Sequence, residues 1–290
     1  MTQYLKLLRV KHYLKNGLIF FPLIFSRNLF DIEMLLKTFL GFIAFSFAAS
    51  IIYVINDMRD IENDRQHPTK CNRPLASGAI SISSAKVIIV MLIIFTIIIN
   101  WLIAGFNLLI WAILIIYVGS NLIYSLGAKN MVLIDVFILT LGYILRLYYG
   151  ALIIGVEVSS WMYLTILAMA FFLGLGKRRN ELRKNGIQSR QVLQKYSWEF
   201  LDKNMYMCLG AAILFYSLWC ESMVEVLQTR FLLWTVPLVI LICMRYSLIV
   251  ENDSDGDPIE VVFTDKMLLA LILVFVIAVA SFLYLPLENL

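Results

Sequence analysis

The chain has 290 residues, 61% of them hydrophobic and 15% charged, with a mean hydropathy of +0.84. Soluble domains run at about 45–50% apolar and roughly 25% charged, so this composition excludes a soluble globular enzyme, a disordered chain, a collagen and a disulfide scaffold. The four cysteines (Cys71, Cys208, Cys220 and Cys243) form no CxxC pair and imply neither disulfides nor a zinc site.

About 20 apolar residues cross a bilayer. Hydropathy predicts nine such helices, near residues 15–30, 35–55, 85–104, 106–125, 132–155, 159–176, 204–225, 231–250 and 266–286. The fold class expected is therefore all-α: a polytopic bundle of about nine transmembrane helices forming one domain over residues 1–290. Met1–Asn16 is basic and lacks a small-residue cleavage site, so it does not read as a cleaved signal. Its first residues, Tyr4, Leu5, Leu7 and Leu8 among Lys6, Arg9 and Lys11, form an amphipathic start that can lie flat on a membrane surface. The first span is the weakest, because Pro22 interrupts it.

The net charge of +4 says little as a total; the distribution of Lys and Arg is what orients a membrane protein. With the N-terminus inside, 19 of the 24 Lys and Arg fall in inner segments and three outside, which predicts N-in and C-out. The polar segments 56–84, 126–131, 177–203 and 251–265 then share the cytoplasmic face, and a polar cavity is expected to open there.

Residues 56–74 carry most of the chemistry. If the second helix continues into them, Asp57, Asp60 and Asp64 lie at i, i+3 and i+7, on one face. Three carboxylates on one stripe repel unless a cation sits among them, and oxygen-only ligands suit Mg²⁺ bridging to substrate phosphates. Asn56 adds a neutral oxygen, and Arg65, His67, Lys70 and Arg73 follow directly. Acids that hold a metal, with cations beside them, are what a diphosphate needs.

Further on, Arg146 places a charge near the middle of the fifth span, where it is costly and a functional candidate by default. Asp135 lies eleven residues earlier, about three turns, on the same face but too distant for a direct pair. This face is expected to line the cavity, with Asp135 near its mouth and Arg146 binding a phosphate or supporting the site from below. Arg245, nearer a helix end, reads as snorkelling to the interface. Asp253–Asp257 reads as a solvated acidic loop.

The string N-D-x-R-D-x-E-x-D-R-x-H-P-T-K-x-x-R-P-x-A-S-G, Asn56 to Gly78, resembles the first aspartate motif of the UbiA superfamily of intramembrane prenyltransferases, and more narrowly its decaprenyl-phosphate phosphoribosyltransferase branch. Leu8–Asn16 with Phe21-Pro22-Leu23, Tyr124-Ser125 with Lys129-Asn130 and Asp135, Gly176–Leu182, and Gly256-Asp257-Pro258 with Glu260-Val261-Val262 resemble other segments of that branch. The likeness covers essentially the whole chain. Where aromatic prenyltransferases of the superfamily carry a second acidic motif, this sequence reads Lys177-Arg178-Arg179-Asn180-Glu181-Leu182-Arg183-Lys184. More cations and less metal suit a donor with an extra phosphate.

The resemblance implies a transferase that moves 5-phosphoribose from phosphoribosyl pyrophosphate to a polyprenyl phosphate lipid. Asp57, Asp60 and Asp64 would hold Mg²⁺, and Asn56, Arg65, His67, Lys70, Arg73, Tyr124, Lys129, Asp135, Arg146, Lys177, Arg178 and Arg179 would bind substrate. Lys15, at the cavity rim, would meet the lipid phosphate. It places the protein in a bacterial cytoplasmic membrane with its site facing the cytoplasm. It implies no nucleic-acid partner and admits a homo-oligomer. The alternative within the superfamily is prenyl transfer from a prenyl diphosphate to an aromatic or other small acceptor.

Overall fold

A computed structural model of the protein describes residues 2–67, 69–185, 191–251 and 258–285. The expected acidic loop at 253–257 and Pro68 lie outside them. All regular structure among the described residues is helical, and eight helices are long and apolar enough to cross a membrane. The chain divides into two compact units, residues 1–127 with 145–157, and residues 128–144 with 158–290.

The first unit begins with the short helix α1, Thr2–Leu7, then a 3₁₀ helix, Val10–Phe20, running straight into α2, Phe21–Phe25. This is the region where the first membrane span was expected, and it is not a regular α-helix. Pro22 sits in the first turn of α2, where its missing N–H costs nothing. A 3₁₀ helix climbs about 2.0 Å per residue against 1.5 Å for an α-helix. The 16 residues from Val10 to Phe25 therefore reach roughly 30 Å, the thickness of the hydrocarbon layer, in fewer residues than a span normally needs.

Next come α3 (Ile32–Arg59), α4 (Ile61–Arg65), α5 (Ile82–Ala104) and α6 (Leu108–Leu126). Each long helix starts on a side-chain cap: Asp31 for α3, Ser81 for α5 and Asn107 for α6. Helix α3 is largely enclosed, whereas α5 is mostly exposed. Its buried residues include Gly41, Ala44, Ser46, Ala48, Ala49 and Ser50, small residues that let neighbouring backbones come close. The face of α5 carries Val87, Val90, Ile94, Ile97 and Ile98 outward, as a lipid-facing surface would.

Helix α7, Ile134–Ile154, contributes its second half to the first unit and its first half to the second. Gly150 lies so near the Ile19 backbone that a side chain there would collide with main-chain atoms. That contact fixes the 3₁₀ segment on α7.

The second unit continues with α8 (Ser160–Asn185), α9 (Trp198–Ser222), α10 (Val224–Leu227), α11 (Val236–Glu251), α12 (Pro258–Thr264) and α13 (Lys266–Tyr284). Its core joins Val136, Phe172, Leu175, Val192, Leu193, Leu201, Met205 and Cys243. Helix α8 runs on through the basic stretch expected to follow the sixth span, and α9, capped by Ser197, starts six residues earlier than hydropathy alone places it. Arg245 does not snorkel alone. Its Nε and Nη2 donate to Asp265 Oδ1 and Oδ2, at 3.1 and 2.6 Å, and Asp265 also caps α13.

Candidate functional site

The acidic motif lies where α3 hands over to α4. The helix breaks only at Asp60, and backbone hydrogen bonds bridge the break. The Asp60 N–H donates to Asn56 O at 3.0 Å, and the Asp64 N–H donates to Asp60 O at 2.7 Å. Helical phase is thereby kept, so Asp57 and Asp64 stay on one face, at 3% and 4% exposure. Asn56 and Asp60 are half-buried beside them.

The segment after α4 folds back over it. Leu75 and Ile80 pack with Leu7, Val54, Ile61 and Ala85 in one apolar cluster, and Arg65 Nε donates to Ala76 O at 3.2 Å. This return brings Arg73 onto the acids. A single nitrogen, Arg73 Nη1, lies 2.7 Å from Asp64 Oδ2 and 3.2 Å from Asp57 Oδ1. A second cation arrives from 48 residues away: Arg9 Nη2 donates to Asp57 Oδ1 at 2.6 Å. Its guanidinium covers the Tyr53 ring at 4.8 Å. Arg9 holds a left-handed backbone, φ 52°, at a cost of about 1–2 kcal/mol for a side chain of this kind. Sequence reasoning placed Arg9 only in the amphipathic start and gave it no part in the site. Nothing local to it signals a partner so far along the chain.

The remaining cations of the motif are placed differently. Arg65 pairs with Glu62 at 2.9 Å on the exposed surface. His67 Nδ1 faces the Thr69 and Lys70 N–H groups at 3.3 and 3.4 Å, closing the turn, and Lys70 is exposed. Lys15 and Tyr124 are half-buried in the same unit.

A second polar cluster of this unit surrounds Arg146. Its Nε donates to Asn16 Oδ1 at 2.7 Å and its Nη2 to the Tyr117 hydroxyl at 3.0 Å, while the guanidinium lies 5.3 Å from the Phe45 ring. Asn16 in turn donates to Ser46 Oγ at 2.9 Å. Asn16 and Tyr117 were missed because a lone Asn or Tyr in an apolar run carries no spacing signal.

The second unit holds the other expected cations. Arg178 is fully buried, its Nε 2.5 Å from Asp135 Oδ2 and its Nη1 2.7 Å from Glu181 Oε2. The Tyr196 hydroxyl donates to Asp135 Oδ1 at 2.7 Å and accepts from the Leu133 N–H. Burial pushes the Tyr196 hydroxyl above the usual tyrosine range, and Asp135 adds to the rise, so it remains a donor. Arg179 lies over the Trp198 ring at 4.1 Å. Its Nε is 2.8 Å from Asp202 Oδ1, close enough for charge pairing but misaligned for a hydrogen bond. Arg178 and Arg179 were expected to meet phosphate; here both are engaged by carboxylates of their own unit. Lys129 and Lys177 are half-buried.

Among the described residues no three His, Cys, Asp or Glu side chains are assembled into a ready-made metal cage. The donor chemistry at Asp57 and Asp64 nonetheless fits a divalent ion. Two buried carboxylates converge on one cationic nitrogen, and oxygen ligands are what Mg²⁺ takes.

A membrane-spanning helical chain with an N-D-x-x-D-x-x-x-D stripe at the end of one span defines a class of protein, and residues 18–272 match the UbiA prenyltransferase family. The chain belongs to that family and is an integral membrane transferase. The decaprenyl-phosphate phosphoribosyltransferase of Corynebacterium glutamicum is 31% identical over 288 residues, 97% of this chain and 86% of that protein. The protein of the same name from Mycobacterium tuberculosis is 28% identical over 253 residues, 86% of this chain and 82% of that one. Among solved structures, a UbiA homolog from Archaeoglobus fulgidus bound to GPP and Mg²⁺ superposes with a TM-score of 0.70 at 21% identity, over 96% of this chain and 99% of that one.

Proposed function

We propose that this protein transfers 5-phosphoribose from phosphoribosyl pyrophosphate to a polyprenyl phosphate and releases diphosphate, at the cytoplasmic leaflet of a bacterial membrane. The observation that carries the reading is the convergence of buried Asp57 and Asp64 on one guanidinium nitrogen at a membrane helix end. The names of the relatives support the choice of donor and acceptor.

Asp57, Asp60 and Asp64 would hold Mg²⁺, with Asn56 beside them. Bound there, the metal would draw negative charge from the leaving diphosphate. The rest is the work of the chain's own residues. Arg73, Lys70 and His67 stand at the motif to take phosphate oxygens, and Lys15 is assigned the lipid phosphate. Arg146, held by Asn16 and Tyr117, keeps the 3₁₀ segment and α7 in register below. Lys129 and Lys177 are candidate phosphate contacts in their own unit, where Arg178 and Asp135 fix the start of α7 against α8.

An oxygen of the lipid phosphate attacks ribose C1 as the C1–O bond to diphosphate breaks, inverting that centre. No general base is required, because a phosphate monoester with a second pKa near 6 is already ionised at neutral pH. The protein's part is orientation and charge stabilisation.

The test is direct. Purified protein is incubated with labelled phosphoribosyl pyrophosphate and polyprenyl phosphate and, separately, with a labelled prenyl diphosphate and hydroxybenzoate. Label is expected in the lipid fraction of the first reaction only. Turnover of the second alone would replace this reading with prenyl transfer.

A further inference from the structure

The acidic centre is neutralised by two arginines that come from outside the helices bearing its acids. Arg73 Nη1 occupies the point on which Asp57 and Asp64 both converge, and Arg9 takes the same Asp57 oxygen at 2.6 Å. Two monocations thus balance two carboxylates. The acids cannot leave: their side chains are 3% and 6% exposed on helices anchored by the apolar cluster. The arginines can. Their side chains are 24% and 30% exposed, so each keeps an open edge that the buried acids lack. Arg9 moreover sits in a left-handed backbone between two helical segments, a conformation that its ion pair with Asp57 helps to hold.

We propose that Arg9 and Arg73 are exchangeable counter-ions of this centre. They pair with Asp57 and Asp64 and hold them in place until a divalent cation enters among the carboxylates and displaces them. The displaced Arg73 guanidinium then takes a phosphate oxygen of the donor. Charge is conserved in the exchange, since one dication replaces two monocations and the incoming diphosphate supplies new anions for the arginines. Metal alone must compete with the arginines and binds weakly. Metal and diphosphate favour each other, by the same factor in both directions. This inference rests on the reading of the centre as a metal–diphosphate site, so the experiment separates the two.

Mn²⁺ is the probe, its free concentration read by electron paramagnetic resonance over the full-length protein in detergent, with and without inorganic pyrophosphate. Without pyrophosphate, Arg73→Gln is expected to bind Mn²⁺ about ten- to a hundredfold more tightly than the unchanged protein, because a competing charged pair is gone. Arg9→Gln is expected to shift affinity the same way by less. Pyrophosphate is expected to tighten Mn²⁺ binding to the unchanged protein and to do so far less in Arg73→Gln. In chelator, Arg73→Gln is expected to melt below the unchanged protein and to recover on adding Mn²⁺.

Equal or weaker Mn²⁺ binding by Arg73→Gln would overturn the exchange and leave the arginines as fixed struts. Should that variant not fold, Arg9→Gln and Arg73→Lys decide by the same criterion. Asp57→Asn is the control for the underlying reading: Mn²⁺ binding unaltered by that change, or absent from every form, removes the metal site itself rather than the exchange.

Discussion

In the first unit the arginine side chains that hold Asp57 and Asp64 are 24% and 30% exposed, while in the second the Arg178 that holds Asp135 is not exposed at all, and neither is the acid. Both clusters pair guanidinium with carboxylate at 2.5–3.2 Å. They differ in whether water can take over from the arginine. Where it can, the ion pair is a resting state that another cation or anion can replace. Where it cannot, separating the pair strands a charge in a medium that does not solvate it, and the pair becomes part of the fold.

The same substitution made in both places should therefore give opposite results. Asp135→Asn leaves Arg178 buried with half its negative charge gone. Breaking a buried pair in this way costs about 3–5 kcal/mol, so thermal unfolding in detergent should show a large loss. Replacing Asp135 and Arg178 together by apolar residues of similar volume should recover much of it. A marginal change from Asp135→Asn alone would mean that this pair is as replaceable as the other, and the contrast would fail.

Asp57→Asn should do the reverse. Arg9 and Arg73 can turn to solvent, so stability should fall by no more than about 1 kcal/mol. Transfer from labelled phosphoribosyl pyrophosphate should drop by roughly two to three orders of magnitude, the scale seen when a charge-stabilising group is removed from a reacting centre. Full activity would remove Asp57 from the chemistry altogether.

How far the sequence foretold these clusters follows from the range over which each signal acts. Asp57 and Asp64 were legible because a helical period sets which residues share a face, and that rule holds over a few turns. Arg73 was legible as a cation near the motif, though not as the group bridging both acids, because the fold-back depends on Leu75 and Ile80 finding Leu7 and Val54. Arg9 was not legible in this role, since its contact spans 48 positions. The carboxylate partners of Arg178 and Arg179 were not legible for a related reason. A run of basic residues after a membrane span looks the same whether its side chains face water or neighbouring carboxylates, and only packing decides. The long apolar helices were read close to where the structure places them, because apolarity over about 20 residues is a local property. The first span was the exception, because the backbone winding of Val10–Phe20 is fixed by what it packs against.

Gly150→Ala tests that packing and carries the next largest effect. A methyl group at this position meets the Ile19 backbone, which cannot rotate away as a side chain could. Overpacking of this kind costs about 1–3 kcal/mol. Because Asn16 and Arg146 sit on the two elements forced apart, the Asn16–Arg146 hydrogen bond should weaken as well. A melting temperature equal to that of the unchanged protein would show that the 3₁₀ segment is loosely seated.

The smallest effect is expected at Asp265, and its value lies in the sign. Hydrogen bonds from Arg245, and then from the Leu268 N–H, hold this carboxyl below its ordinary value of 3.8. A carboxyl whose pKa is lowered on folding stabilises the protein fully above the unfolded value and loses that contribution as pH falls through the folded one. Asp265→Asn keeps an acceptor suited to capping α13 but removes the charge. The melting temperatures of the two proteins should thus differ slightly at neutral pH and converge as pH drops below about 4. Arg245 and Asp265 are 31% and 18% exposed, closer to Arg73 than to Arg178, so a gap that is small and pH-dependent extends the rule drawn from the two clusters to a third pair. A gap that persists unchanged into acid would instead assign the effect to the cap and leave the ion pair without a part in stability.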